Sequence, residues 1–401
     1  ILGMCLAPQG AGRWMSPASM TRSPGEIALG TLFSALDIAR AGMGVAQVQL
    51  DTAGHNISNV NTEGYSRQRV EVVTRDPIER NYGAIGRGPR IDEIQRMRDA
   101  FLDGVYRTQV AGLGAETIES EYYTRIEDVF QEPNEDGFSE RLNVFFDAVN
   151  DFANNVEELP ARVALAAQAE AVAGSLNEVD TRLRTLRSNA NEEVRSIVER
   201  VNSLSRRIAE LNGRIFEFEV TGRLANDLRD DRDLLLDDLA QLVNISARED
   251  DSGRTYVYLG GEELVRGEEY RALEAYPDAS LDPERPELLN LRFADNDSDV
   301  YVRSGELYGA LRMRDDTLAA LEDRMDSIAR EMVRAINSIH ANGNGLENIS
   351  TSIETTNYVN SPFSPLNAAE LPYTVEDGSF DITVYDNTGA IVETATIDIT
   401  T

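Results

Sequence analysis

The sequence contains no lysine: all 38 basic residues among its 401 are arginine, against 70 aspartates and glutamates, for a formal charge of −32. Nucleic acid and anionic membrane surfaces are thereby set aside as main partners, because the phosphate-neutralising term of such binding is repulsive here. The single cysteine, Cys5, excludes an internal disulfide and a cysteine-built zinc site, and two distant histidines, His55 and His340, leave little for a histidine metal cluster. No run reaches the ~18 apolar residues of a membrane helix. The opening ILGMCLA is too short for a secretory signal and lacks its leading charge. Arginine in place of lysine fits the nucleotide bias of a high-GC genome, and an acidic, salt-tolerant surface stays open beside it.

What the chain has in quantity is helical periodicity. Residues 1–28 form a disordered amino-terminal tail rich in Gly, Pro and Ser, and with Ile1 in first place Met20 is a candidate start, residues 1–19 then being partly untranslated. From there Leu32, Leu36, Ala39, Met43, Ala46, Leu50, Ala53, Ile57 and Val60 alternate by four and three. That is the seam of a helix of roughly 43 Å packed along its length against other helices. Its flanks, Gly42, Gly44, Val45 and Val48, are weakly polar, so a many-helix assembly buries it better than a two-stranded coil. Phe138, Leu142, Phe145, Val149, Phe152, Val156 and Leu159 repeat the spacing until Pro160, where the pattern is expected to end. A third stripe runs from Val172 to Phe218, with an eleven-residue step from Leu183 to Val194, and predicts a helix of about 70 Å that suits a stalk better than an enzyme core. A last helix is expected over 305–340, presenting Leu311, Leu318, Leu321, Met325, Ile328, Met332, Ala335 and Ile339. Strand patterns fall at 245–274 and 288–293, and again around Phe380, Ile382, Val384, Ile397 and Ile399. The fold class expected is mainly α with β segments: an axial helix and elbow over 29–65, a long-helix domain over 66–360 with β segments at about 245–303, and over 361–401 the start of a β-rich outer domain, truncated.

Chemistry-bearing patterns are weak. Asp295, Asp297, Asp299 and Glu306 fall at calcium-loop positions, but Val300 stands where the loop needs glycine and Arg303 where it needs a ligand, so a solvated acidic turn is the better reading. The run Asp227, Asp230, Asp231, Asp233, Asp237 and Asp238, interleaved with Arg229 and Arg232, is read as the polar face of a helix that presents Leu228, Leu235, Leu239 and Leu242. Gly42-Met43-Gly44 and Gly86-Arg87-Gly88 lack the strand-loop-helix context of a nucleotide site. Neither histidine has a serine or cysteine partner for nucleophilic catalysis. No catalytic, cofactor-binding or metal-binding residue is assigned.

At the end of the first heptad helix stands Asn56-Ile57-Ser58-Asn59-Val60-Asn61-Thr62-Glu63-Gly64-Tyr65-Ser66-Arg67-Gln68. Asparagines at a helix end bond nearby backbone, and Gly64 supplies a positive-φ turn, so the rod stops there and extended chain follows. Together with Leu32–Gln68 as a whole, these residues resemble the amino-terminal signature of the axial proteins of the bacterial flagellum. Tyr65-Ser66-Arg67-Gln68 points to the hook-associated, hook–filament junction group, since rod and hook relatives usually follow the glycine with Phe and then Lys. Gly86-Arg87-Gly88 followed by 94–106, residues 225–242 leading into 256–261, and Ser304–Leu311 with Arg314–Leu318 are similar to that group in the same order. The resemblance covers about 30–345.

The resemblance implies a structural, non-enzymatic role without cofactors. It implies export by the flagellar type III apparatus without a cleaved signal peptide, an extracellular place in the flagellum, and a ring of copies between hook and filament. Its partners would be further copies of itself, the hook protein, the second junction protein of the hook-associated protein 3 type, and an export chaperone for the full-length protein. The axial packing residues are then the stripe Leu32 to Val60, and the elbow is carried by Asn56, Ser58, Asn59, Asn61, Thr62, Gly64, Tyr65, Arg67 and Gln68. Members of the group close with a second heptad helix that pairs with the first. The chain is therefore expected to be an amino-terminal fragment whose stripe is unpaired and mobile or loosely docked. A hook or distal-rod subunit is the near alternative, and an extracellular calcium-dependent binding protein or hydrolase the remote one.

Overall fold

The computed structural model describes residues 24–81, 83–131, 137–250, 252–341, 377–386, 388 and 390–399, with the side chains of 24–32 and 341 outside that description. The tail ahead of residue 24 lies outside the described residues, and helix α1 (Pro24–Ser58) begins within the segment read as tail. It leads through the elbow into strand β1 (Gln68–Thr74), the short hairpin β2 (Ile78–Arg80) and β3 (Gly83–Ile85), and β4 (Pro89–Arg96). β1 and β4 pair antiparallel with an irregularity between Val70 and Val72.

Helix α2 (Ala100–Phe130) follows and was not legible as a periodicity. Its buried positions are largely small or polar (Arg107, Ala111, Gly114, Ala115), with only Ile118, Tyr122 and Ile126 as large apolar markers. Asp99 caps it, its carboxylate accepting from Phe101 N at 2.9 Å. Helix α3 (Phe138–Asn154) ends before Val156 and Leu159, which are exposed, so those residues do not continue its seam. Pro160 does not end that helix. It occupies the first turn of α4 (Leu159–Glu219), where no intrahelical donor is needed. At 61 residues, α4 spans about 90 Å rather than the ~70 Å expected.

The core is built along α4. Leu183, Ala190, Val194, Ile197, Val201, Ile208 and Ile215 are fully enclosed on it. They pack with α2, with Leu235, Leu236, Leu239 and Leu242 of α5 (Asn226–Leu242), and with α6 (Glu306–Arg312). On another side lies the antiparallel sheet of β5 (Ile245–Glu249), β6 (Thr255–Leu259), β7 (Glu262–Arg266) and β8 (Glu269–Tyr270), beside the ribbon of β9 (Leu273–Pro277) and β10 (Leu289–Phe293).

Three asparagines dock these strands on α4. Asn191 accepts from Leu289 N at 2.9 Å. Asn202 exchanges both bonds with Leu273, donating to its carbonyl and accepting from its N–H at 2.8 Å each. Asn212 donates to Thr255 O and Gly267 O and accepts from Thr255 N at 3.0 Å. The spacings of eleven and ten residues are close to three helical turns, so all three amides share one face and act as surrogate strand backbone.

The last helix is interrupted. Between α6 and α7 (Ala319–Ala341), residues Met313–Leu318 form a π segment. Such a segment widens the ladder and leaves a carbonyl for other donors. The Arg187 guanidinium fills that role, donating to Arg314 O at 3.0 Å and to Glu322 at 2.9 Å. Arg314, 1% exposed, donates in turn to Asn191 Oδ1 and Leu289 O and clasps Asp315. Three of the four carboxylates of the calcium-loop pattern are taken by cations: Asp295 by Arg271 at 2.7 Å, Asp297 by Arg292 and Glu306 by Arg200. No group of three or more metal-ligating side chains gathers among the described residues.

Residues through Glu331 form one compact unit and those from Met332 a second. The second contains the antiparallel hairpin β11 (Gly378–Tyr385) and β12 (Ile391–Ile399), which pairs Phe380 with Ile397 and Ile382 with Ala395 on one face.

Asn212→Leu removes the partner of three buried backbone groups and one Arg232 bond at once. We expect it to lower the unfolding free energy by at least ~3 kcal/mol in urea titration, because each orphaned buried group costs about 1–3 kcal/mol. A change under about 1 kcal/mol would show that the asparagine docking is dispensable.

Candidate functional site

Helix α1 has two apolar faces with different fates. Val45 and Thr52 are buried where the helix meets β1 and β4, and Ile38 lies against Gly88, which turns at a positive φ of 86° and where an added Cβ would stand 3.2 Å from the Ile38 side chain. On the other face, every described member of the heptad stripe is exposed: Leu36, Ala39, Met43, Ala46, Leu50, Ala53, Ile57 and Val60. The large ones range from 58% at Leu36 to 74% at Ile57. The Leu32 side chain lies outside the described residues. The stripe therefore takes no part in the fold that Val45 and Thr52 belong to.

The elbow is closed by a hydrogen-bond circuit. Asn56 clasps the backbone of Gln68, donating from Nδ2 to its carbonyl at 2.9 Å and accepting its N–H on Oδ1 at 2.8 Å. The Tyr65 hydroxyl also donates to Asn56 Oδ1, at 2.8 Å, and lies 3.0 Å from His55 Nδ1. That hydroxyl has one proton and Asn56 takes it, so Nδ1 must be the protonated ring nitrogen of His55. The two rings meet edge to face, 5.4 Å apart. Ser58 and Asn59 side chains both donate to His55 O at 3.0 Å, and Thr62 donates to Asn59 Oδ1. Gly64 turns at φ 77° with Leu234 of α5 pressed against it. Asn61 and Arg67 are exposed, and the Arg67 carbonyl accepts from Met97 N at 2.8 Å.

Below the elbow sits a buried ionic clamp. The acidic run on α5, read from sequence as the polar face of a helix, turns Asp230 and Asp233 inward. Asp230 accepts from Ser66 N at 3.0 Å and from Arg96 at 2.8 Å, and Arg96 also reaches Asp233 at 2.7 Å. Arg98 bonds Asp103 and approaches Asp233 at 3.7 Å, and Arg107 of α2 bonds Asp237 at 2.7 Å. Asn226 and Asp227 add bonds to Ile94 O and the Gln68 side chain. Burial alone pushes the Asp233 carboxyl up, but Arg96, Arg98 and Arg232 more than reverse this and hold it below the ordinary aspartate range. At Asp237 burial wins over Arg107, and its pKa is raised. Burial, with Asp230 and Asp227 near, also raises the Tyr65 hydroxyl. The arrangement fixes an apolar rod at a set angle on a helical domain.

A family model described as the flagellar hook-associated protein FlgK helical domain matches residues 123–352, more than half of the chain. The chain belongs to this family. A second model, described as flagella basal body rod protein, matches residues 36–65, which run from Leu36 within α1 to Tyr65 of the elbow. The flagellar hook-associated protein 1 of Bacillus subtilis is 28% identical over 78% of this chain and 68% of its own length. That of Salmonella typhimurium is 29% identical over 77% of this chain and 57% of its own. The flagellar hook junction protein FlgK from Burkholderia pseudomallei, a solved structure, superposes with a TM-score of 0.44 at 23% identity, covering 54% of this chain and 39% of that one. The chain thus spans between about half and two thirds of the curated relatives it matches.

Reasoning from sequence located the elbow residues but missed their counterparts: Arg96, Arg98 and Arg107 on one side, Asp230 and Asp233 on the other. The signal available was the alternation of Asp and Arg at 227–238 on a helix that also carries leucines on several faces, too many for a one-sided amphipathic helix.

A carboxyl whose folded pKa lies below its unfolded value contributes stability above the unfolded value and loses it as pH falls toward the folded one. Asp233 therefore weakens the clamp on acidification, while Asp237, shifted the other way, is relieved by protonation. We expect Asp233→Asn to be less stable than the parent at neutral pH, and its stability to fall less steeply between about pH 5 and about pH 3. Equal slopes in thermal melts across that window would remove Asp233 as the acid-sensitive group.

Proposed function

We propose that the chain is a non-enzymatic structural subunit of the flagellar hook–filament junction, which joins its neighbours through the α1 stripe. The observation that carries this is the stripe itself: five large apolar side chains and three alanines in heptad register, all exposed, on a helix whose opposite face is already used. Burying Leu36, Met43, Leu50, Ile57 and Val60 at ~1.5–3 kcal/mol each yields on the order of 10 kcal/mol. Association itself costs about 4–15 kcal/mol, so a single pair of copies is marginal. A ring that covers each stripe from both sides is not. The elbow and its clamp give every copy the same angle between rod and outer body, as a closed ring of identical contacts requires.

The partners consistent with this reading are further copies of the chain, the hook protein, the second junction protein and an export chaperone for the full-length protein, after type III export without a cleaved signal peptide. No described helix is long and apolar enough to cross a membrane. A hook or distal-rod subunit is favoured by the match at 36–65, and the helical-domain match at 123–352 supports the junction instead.

The test is genetic and microscopic. In a strain lacking its junction protein, the full-length gene should restore filaments, and its Leu36→Glu/Met43→Glu/Leu50→Glu version should leave bare hooks while the variant protein, still folded, accumulates in the medium. Normal filaments from the triple variant would overturn the proposal.

A further inference from the structure

With 70 acidic residues against 38 arginines, two copies of this chain repel unless opposite charges meet locally. The described surface offers such a place. Between α1 and the β1–β4 region lies a groove of about 770 Å³ lined by Arg40, Arg75, Arg87 and Arg90, with Asp37 on its wall. Arg90 reaches Asp92 at 3.3 Å. The guanidinium groups of Arg40, Arg75 and Arg87 have no ion pair or hydrogen bond among the described residues, unlike Arg96, Arg98 and Arg107 close by in sequence. Three such arginines gather at this one groove, in a chain where carboxylates outnumber cations almost two to one.

The groove opens on the face of α1 that carries Ile38, Ala41 and Val45, opposite the stripe, so the two surfaces are separate contacts on one helix. The matching surface is on the same molecule. Asp227, Asp231 and Asp238, spaced four and seven residues apart, share the exposed side of α5, and Glu63 of the elbow lies close enough to Asp238 to raise its pKa together with partial burial. These four carboxylates form no ion pair among the described residues, and Asp227 accepts only from the Gln68 amide. The groove and the acidic row are different patches, as a head-to-tail contact between identical copies needs.

We infer that the arginine groove beside α1 is the docking surface for a second copy of this chain, whose acidic outer face of α5 enters it. This rests on the junction-subunit reading and adds to it the polar contact that sets which neighbour is accepted and in what order the stripes meet. The apolar stripe supplies burial without direction, while the charge pairs supply direction.

The test is sedimentation velocity over a concentration series of the purified chain at low and high salt, with circular dichroism to check folding. The parent is expected to self-associate at low salt and more weakly at high salt. Arg40→Glu/Arg75→Glu/Arg87→Glu and Asp227→Arg/Asp231→Arg/Asp238→Arg should each weaken association at least about tenfold. Mixed in equal amounts, the two variants should recover it, because each then carries the charge that the other needs. Weakening without recovery in the mixture overturns the pairing. Parental association in both charge variants, lost only when Leu36, Met43 and Leu50 are made serine, overturns the groove and leaves the junction reading standing. A parent chain that stays monomeric at every concentration and salt overturns the groove, while the junction reading is decided separately by the filament restoration described above.

Discussion

One pair of carboxylates, Asp230 and Asp233, holds together three segments that would otherwise meet only through loops. Arg96 brings the end of the β1–β4 ribbon to them, Ser66 N brings the elbow, and Arg107 brings α2. Buried ion pairs repay their desolvation only when geometry is good and every lone pair is used. Here both oxygens of Asp230 and both of Asp233 are engaged. At Arg96 one nitrogen, Nη1, donates to both carboxylates, and at Arg98 the guanidinium fork grips Asp103 through two nitrogens, a geometry that a lysine ammonium does not offer. A chain without lysine is thus equipped for this kind of interior, whatever brought its codon usage about.

The same logic recurs around α4. Arg232, 1% exposed, is shared among Asn212, Gly253 O and Glu249, and burial lowers its pKa although Glu249 and Asp233 oppose the shift. Arg314 and Arg187 do the corresponding work at the π segment. Helical packing by Leu, Ile and Val alone fixes neither the axial position of a strand nor the place where a helix widens, because apolar contacts are tolerant of sliding. Amides and guanidinium groups that accept and donate at fixed points are not. The long helix therefore serves both as the core and as the ruler on which the β elements are placed.

That division explains what could be read from sequence. Heptad rhythm exposed α1, α3, α4 and α7, since each places large apolar side chains at regular steps, and alternation exposed β6, β10 and the hairpin of β11 and β12. Helix α2 stayed hidden because its contact face is made of Ala111, Gly114 and Ala115, small enough for close approach to α5 and α6: a Cβ on Gly114 would stand 2.3 Å from Gln241 O of α5, and one on Gly309 of α6 2.7 Å from Ala115 O. Pro160 was read as a stop because proline ends a running helix, although in the first turn it is equally at home. The elbow was legible in its asparagines and glycine. Its anchor was not, because Asp230 lies 164 positions from Ser66, and nothing local marks which acid of an acidic run faces inward.

The need for so firm an anchor follows from leverage. Helix α1 has 35 residues and is about 52 Å long. A change of about 10° at the elbow would displace its far end by about 9 Å, close to the full 8–10 Å spacing between packed helices. Heptad seams on neighbouring rods would then miss each other, however apolar they are. Held only by the apolar contacts of Ile38 and Val45, the rod could rock on the ribbon at little cost. The Asn56 clasp on Gln68, the Tyr65–His55 pair and the Asp230 bond to Ser66 resist that motion at its pivot, where a short displacement corresponds to the largest angle. A face left bare, as the proposed packing against neighbours requires, cannot contribute to its own orientation, so orientation has to come from polar contacts at the base.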